Sequence, residues 1–225
     1  MTLQLSEADH DKVSAAIAAA EGQSDGEIVA VATPLSNSYH DVALHWALVP
    51  LFAVLAWAAI WPTALVWWYN LLFGGWEPEP TLSQLLTLLM FFAALKFTVA
   101  LLILKWMPLR LALTPSATKA RRVRRRAVTV FRAAAERRTV GRTGILIYLS
   151  MGERRAEIVA DEAILKVTDA HTWGEAMAAL LVEVRAGRPG DGIVAAIERV
   201  GAVLAEHFPR SAGDVNEIPD KLIEL

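Results

Sequence analysis

An apolar block in the first half of the chain constrains its fold more than any other feature. The 68 residues from 42 to 109 contain only four charged side chains, which are Glu77, Glu79, Lys96 and Lys105. Seven of the eight tryptophans lie in the same block. The other 157 residues hold 42 charged side chains, a share that is ordinary for a soluble domain. The sequence therefore predicts a membrane segment set inside a globular chain, and it excludes a purely cytosolic enzyme, a disordered chain and a fibrous protein.

Two stretches of the block are long enough to cross a bilayer, and they predict helices at about 44–69 and 82–107. The first has 26 residues without Asp, Glu, Lys or Arg, and as a helix it would extend for about 39 Å against a bilayer core of roughly 30 Å. Residues 70–81 contain Gly, Pro and two Glu, a composition typical of a turn. Tryptophan and tyrosine gather near both ends, as in an aromatic belt. We therefore predict a two-helix transmembrane hairpin over residues 42–109.

Lysine and arginine predict the orientation of this hairpin. Between Arg110 and Arg142 there are eleven basic residues and one acid, Glu136, whereas the turn has no basic residue. The positive-inside rule then places both ends of the hairpin, and both termini, in the cytoplasm. Residues 1–41 are acidic and lack the basic start and apolar run of a secretion signal. We therefore expect the chain to enter the membrane from a domain begun on the cytoplasmic side.

The basic run after the hairpin predicts a helix at the membrane surface. Val123, Ala127 and Phe131 recur at helical spacing, so one face is expected to pack on a domain. The arginines would face the headgroups of an anionic leaflet, with about 1 kcal/mol of attraction for each. Nucleic acid is not an expected partner, because no aromatic platform or reading motif accompanies the arginines. The predicted membrane-interface residues are Arg121, Arg122, Arg124, Arg125 and Arg126.

Lys96, in the middle of the second stretch, leaves two interpretations open. A lysine at the centre of a membrane costs about 2.5–3.5 kcal/mol on insertion scales. An ion or proton site would account for it, and so would snorkelling or pairing within a homo-oligomer. No acidic residue accompanies Lys96 within the stretch, and two helices alone cannot enclose a pathway.

The residues outside the hairpin predict a single α/β domain that the hairpin interrupts. Buried strands are expected at Glu27–Thr33 and 144–149, and an edge strand at 154–160, with helices before and after them. One strand precedes the hairpin and two follow it, so we expect both halves to share one sheet, with the basic helix as a right-handed crossover. The predicted organisation is 1–41 and 110–209 as two parts of one domain, 42–109 as the hairpin and 210–225 as a polar tail. Cysteine is absent, which excludes disulfides, thiol catalysis and cysteine-ligated metals.

A series of motifs in the right order resembles the TPM domain family, in its membrane-anchored bacterial branch. The motifs are Ala20-Glu21, Ser24-Asp25-Gly26-Glu27-Ile28, Arg142-Thr143-Gly144 with the strand that follows, residues 153–161, residues 204–209, and Asn216-Glu217-Ile218-Pro219-Asp220. Together they span nearly all of the chain outside the hairpin. The resemblance implies a three-layer α/β/α sandwich with a small mixed sheet of about four strands, anchored in the bacterial cytoplasmic (inner) membrane as a multi-pass protein.

The resemblance also implies a divalent-cation site after the third strand, for an ion such as calcium. Members with a proposed metal site carry glycines there and an aspartate a few residues on. In this chain Asp169 matches that aspartate, while Asp161-Glu162-Ala163 replaces the glycines. The candidate metal ligands are Asp161, Glu162 and Asp169, since hard cations prefer several converging oxygens. The alternative is that Asp161 and Glu162 start a helix, where the helix dipole favours anions, and that Asp169 is solvated.

No catalytic residue is predicted. A phosphatase needs a nucleophile or a metal pair, with donors for the phosphoryl oxygens, and the sequence has neither a nucleophile motif nor a glycine-rich phosphate loop. The resemblance to the TPM family implies three possible roles, because some members look like acid phosphatases, some bind divalent cations and some assist the assembly of membrane proteins. We therefore expect an integral membrane protein with a cytoplasmic TPM-like domain and a role in binding, or in the assembly and maintenance of membrane proteins. The alternative is a membrane-anchored, metal-dependent, phosphatase-like hydrolase. The expected partners are the lipid bilayer, another membrane protein or a second copy of the chain.

Overall fold

The computed structural model describes residues 5–74, 79–134, 143–168, 170–211 and 219–225. The chain divides into two compact units. The α/β unit comprises Met1–Asn37 and Ser116–Leu225, and the helical unit comprises Ser38–Pro115. In chain order the elements are α1 (Glu7–Glu21), β1 (Glu27–Thr33), α2 (His40–Ile60), α3 (Pro62–Phe73), α4 (Leu82–Ile103), α5 (Met107–Ala112), α6 (Ser116–Ala134), β2 (Gly144–Ser150), β3 (Arg155–Ala160), α7 (Glu162–Val167), α8 (Ala170–Arg185), α9 (Pro189–His207) and β4 (Leu222–Glu224).

The α/β unit is built on a four-stranded mixed sheet with the strand order β3-β2-β1-β4. Strand β1 runs parallel to both of its neighbours, and Ala30 lies opposite Ile147 on one side and Leu222 on the other. Strand β3 is antiparallel to β2. The prediction of a mixed α/β fold with a small four-stranded sheet is confirmed. The strand that precedes the helical unit therefore lies inside the sheet, between strands that follow that unit.

Helices cover both faces of the sheet, as the apolar pattern of the strands requires. Every residue of β1 and β2 is buried, which is typical of strands that lie between two layers. Ile17 of α1, Leu180 of α8 and Ile197 of α9 belong to the core on one face. Helix α6 covers the other face through Val123, Ala127 and Phe131, together with residues of β1 and β2 that point to that side. The unit is an α/β/α sandwich.

Strand β4 lies within residues 210–225, for which the sequence predicts a polar tail. Its three residues pair with Ala30–Ala32, and Leu222 is 5% exposed. Three residues are too few to show the alternation that identifies a strand. Pairing with β1 supplies the backbone partners that the segment lacks in isolation. The α/β unit therefore extends to the last residues of the chain.

The helical unit consists of α2, α3, α4 and α5. The single helix expected at 44–69 is two helices that meet at Trp61, because Pro62 lacks the N–H that a continuous helix needs. The second expected helix ends at Ile103 rather than near 107. Helices α2 and α4 pack against each other, and each is long and apolar enough to cross a membrane. The helical unit therefore contains the two helices that a transmembrane hairpin needs.

Arg110 links the two ends of the helical unit. Its Nε and Nη2 atoms donate to the Leu104 carbonyl at 2.9 and 2.7 Å, and its Nη1 atom donates to the Ser38 carbonyl at 2.6 Å. Ser38 precedes α2 and Leu104 follows α4, so one guanidinium ties the residue that enters the unit to the end of the second long helix. The side chain is buried, and its charge is offset by these carbonyls.

Candidate functional site

The predicted metal ligands do not converge in the part of the chain that the structure describes. Asp161 follows β3, and its Oδ2 atom accepts the Gly144 N–H at 2.9 Å. Glu162 is exposed and forms an ion pair with Lys166 at 2.9 Å, one turn further along α7. Asp169 lies outside the described residues. Among the described residues no group of three or more His, Asp or Glu side chains is placed to hold a metal ion. In this structure Asp161 instead joins the end of β3 to the start of β2.

Buried carboxylates gather at the edge of the sheet where β1 and β2 begin. Glu21 ends α1, and its Oε1 atom accepts the Ile28 N–H at 2.7 Å. Glu27, the first residue of β1, and Asp220, just before β4, interact with Glu21 electrostatically. Glu21 and Glu27 are 8% and 6% exposed. Glu21 and Glu27, from the start of the chain, and Asp220, from its end, thus lie close together because β1 and β4 are adjacent in the sheet.

Burial raises the pKa of Glu21 to about 9, although the hydrogen bond from Ile28 opposes the shift. The charge of Glu27 and a hydrogen bond with Asp220 raise the pKa further. Glu21 therefore keeps its proton at neutral pH, and its O–H group can donate a hydrogen bond to the Asp220 carboxylate. Neither Glu21 nor Glu27 is among the predicted site residues. The signal that could have found them is the spacing of two carboxylates, one at the last residue of a helix and one at the first residue of an otherwise largely apolar strand.

A second polar group lies at the opposite edge of the sheet, where β1 and β2 end. In an open α/β sheet this carboxyl edge is where ligands usually bind. Glu153 lies in the turn between β2 and β3 and is 8% exposed. Its Oε2 atom accepts the Ser150 hydroxyl, and its Oε1 atom accepts the Ser36 N–H at 3.0 Å. Ser150 is fully buried. A hydroxyl beside a carboxylate has the chemistry of a nucleophile and its base, but a substrate cannot reach Ser150 in this structure.

The phenol of Tyr148 extends this group toward helix α6. Its hydroxyl lies 3.1 Å from the Ser36 hydroxyl. The pKa of Tyr148 is raised overall because burial disfavours the charged phenolate. The hydrogen bond with Ser36 and the Arg126 guanidinium oppose this shift. Arg126 thus approaches the sheet from the helix above it. These contacts fix the loop that leaves β1 against the end of β2.

The structure separates the five predicted interface arginines by their contacts. Arg122 donates to the Asn37 side-chain oxygen at 2.9 Å. Arg124 donates to Glu157 of β3 at 3.4 Å; burial raises the pKa of Glu157, and the charge of Arg124 opposes that shift. Together with Arg126, these side chains bind parts of the α/β unit. Arg121 and Arg125 are exposed and lie on the outer side of α6.

Residues 107–203 match the family model of the TPM domain. This match identifies a TPM domain within the chain. The matched range includes β2, β3 and helix α6, whereas α1, β1 and β4, which complete the sheet, lie outside it. The chain is also similar to the NMR structure of the BA42 protein from the psychrophilic bacterium Bizionia argentinensis. That likeness has 17% identity and a TM-score of 0.55, and it covers 98% of this chain and 95% of the other. At this identity the likeness shows a shared fold. No curated protein matches the chain.

Most of the carboxyl-edge group and all five arginines lie inside the matched region, whereas Ser36 lies outside it. Ser150, Glu153 and Asp161 lie within residues 107–203, while Glu21 and Asp220 lie outside it. The matched region therefore supplies β2 and β3, and the sheet is completed by β1, which precedes the helical unit, and by β4 near the end of the chain.

Proposed function

We propose that this protein is an integral membrane protein of the bacterial cytoplasmic membrane, with a TPM domain on the cytoplasmic side that binds or supports the assembly of membrane proteins. The observation that carries the proposal is the place of β1 within the sheet. Strand β1 precedes the helical unit, and its two neighbours follow that unit. All three strands must therefore fold on the same side of the membrane, which requires an even number of crossings. Helices α2 and α4 supply two.

The surface of α2 and α4 supports their placement in a bilayer. Val49, Phe52, Met90 and Phe91 are between 55% and 68% exposed. Large apolar side chains in this number are costly in water, at about 25 cal/mol for each Å². A core helix of a soluble protein would bury most of its apolar surface, whereas only 17% and 11% of the apolar windows of these helices are buried. Hydrocarbon chains would provide the missing contacts.

A binding role is supported by the way the polar residues of the TPM domain are used. Ser150 and Glu153, which form a hydrogen-bonded pair at the carboxyl edge, are buried away from solvent. Glu21, at the opposite edge of the sheet, accepts a hydrogen bond from the Ile28 N–H. Both groups hold chain segments in place. Arginines clustered next to the hairpin favour the cytoplasmic side for the domain.

Cysteine labelling tests the topology, and the absence of natural cysteine leaves no background. Glu79→Cys lies before α4, while Asp11→Cys and Ser211→Cys lie in the α/β unit, and all three positions are exposed. In intact cells whose outer membrane has been permeabilised, a membrane-impermeant maleimide should label Glu79→Cys only. The other two should react after the cytoplasmic membrane is opened. Labelling of Asp11→Cys and Ser211→Cys from opposite sides would refute the proposal.

Phosphatase assays test the binding role. The full chain in nonionic detergent should not hydrolyse p-nitrophenyl phosphate with Ca²⁺, Mg²⁺ or Mn²⁺. Metal-dependent turnover that co-purifies with the full chain would replace the binding role with hydrolysis, and its loss in Asp161→Asn would place the reaction at the predicted metal site. Asp11→Asn is the control, because Asp11 is exposed and is not one of the predicted metal ligands.

A further inference from the structure

Helix α6 presents two arginines on the side opposite its core contacts. Val123 and Ala127 are fully buried against the sheet. Arg121 and Arg125 are one turn apart, and each lies more than a quarter turn away from that buried side at about 100° per residue. Both are exposed. The outer side of α6 therefore carries a pair of neighbouring guanidinium groups.

The neighbours of these two arginines leave the pair uncompensated. Arg121 donates to Thr118 of its own helix at 3.4 Å. Neither Arg121 nor Arg125 forms an ion pair with a carboxylate in the part of the chain that the structure describes. Arg124 on the flank of the helix differs, since it lies 3.4 Å from Glu157. The outer side of α6 therefore has a positive charge that no carboxylate among the described residues pairs with.

The position of the pair in the chain indicates what offsets this charge. Helix α6 begins at Ser116, directly after Pro115, the last residue of the helical unit. At 1.5 Å per residue, Arg121 and Arg125 are about 8 and 14 Å along the helix from that point. Anionic lipid surfaces attract basic side chains over about one Debye length, which is roughly 8–10 Å. A guanidinium can also donate two parallel hydrogen bonds to one phosphate.

We propose that Arg121 and Arg125 form a binding site for the phosphate groups of anionic phospholipids in the leaflet from which the hairpin emerges. The inference rests on the proposed function, because it needs the helical unit in the membrane. It goes further in naming the ligand and in separating two lipid-binding arginines from Arg122, Arg124 and Arg126, which bind the α/β unit. Lipid binding would hold the outer side of α6 against the headgroups.

The test places an environment-sensitive label on the outer side of α6 in the full chain. Thr129→Cys, four residues after Arg125 and exposed, is labelled with NBD. The protein is reconstituted in nanodiscs of phosphatidylcholine alone or with 30% phosphatidylglycerol. We expect a blue shift of NBD emission only with phosphatidylglycerol, reversed by about 0.5 M NaCl. Arg121→Gln/Arg125→Gln should require about 30 times more anionic lipid for the same shift, at about fivefold for each arginine.

Arg185→Gln/Arg199→Gln is the matched control, because it removes the same charge from exposed positions elsewhere in the α/β unit. It should keep the lipid-dependent shift. A shift of equal size in phosphatidylcholine, or an equal loss in the control variant, would overturn the proposal. Competition by a few millimolar inorganic phosphate would overturn it as well, since the site would then bind the free ion. Labelling of Glu79→Cys from outside remains independent of every one of these results, so failure here does not remove the membrane anchor.

Discussion

Glu21→Gln should remove a pH dependence from the stability of the TPM domain. The pKa of Glu21 rises from an ordinary 4.5 to about 9, mainly through burial. A carboxyl group whose pKa is raised by folding stabilises the fold below its unfolded pKa, and this stability is lost as the pH rises toward the folded pKa. The wild-type domain should therefore be more stable at pH 5 than at pH 8. Glutamine keeps an acceptor for the Ile28 N–H and a donor for Asp220, so it imitates the protonated acid.

The size of the effect follows from the pKa values. A single proton changes the free energy of unfolding by at most about 1.4 kcal/mol for each pH unit between the two pKa values. From pH 5 to pH 8 the limit is about 4 kcal/mol, and partial access of water to the carboxylate reduces it, so we expect about 2 kcal/mol. At pH 8 the variant should therefore be more stable than the wild type, by a factor of about 30 in the unfolding equilibrium.

Hydrogen exchange at the amides of β1 measures this quantity in the full chain, since buried strands exchange through opening of the domain. Protection factors corrected for intrinsic exchange should fall between pH 5 and pH 8 in the wild type and stay level in Glu21→Gln. Asp11→Asn, an exposed change on the same helix, should follow the wild type. A Glu21→Gln variant that loses protection equally at both pH values would show that Glu21 acts as a carboxylate, and the reasoning would be wrong.

Two glycines give opposite predictions for alanine. A Cβ at Gly152 would lie 2.6 Å from the Pro34 carbonyl oxygen, so Gly152→Ala should destabilise the domain by about 1–3 kcal/mol, measured by the same exchange of β2 amides; unchanged protection would show that the turn yields without cost. Gly174 lies in α8 with nothing within 4 Å of its Cβ position, so Gly174→Ala should be neutral or stabilise the domain by up to about 1 kcal/mol, and a loss of protection there would contradict the open space.

Local patterns predicted a large part of the fold. The capping box of Ser6 and Asp9, whose three-residue spacing is visible in the sequence, begins α1. The nearly continuous apolar stretches that follow Glu27 and Gly144 are the two buried strands. The stripe of apolar residues in the basic run is the side of α6 that packs on the sheet. In each case the residues that form the pattern are close together in the chain, so a short window of sequence contains the information.

Periodicity and charge act within a few residues, so local sequence patterns predict an apolar hairpin-sized segment and an α/β domain on both sides of it. Three features appear only in the folded chain: the last residues form β4, Glu21 shares a hydrogen bond with Asp220, and Arg122 and Arg121 have different partners. Each of the first two joins residues about two hundred positions apart. Such contacts form only when the strands pair into one sheet, and a short window of sequence does not indicate which strands will be neighbours.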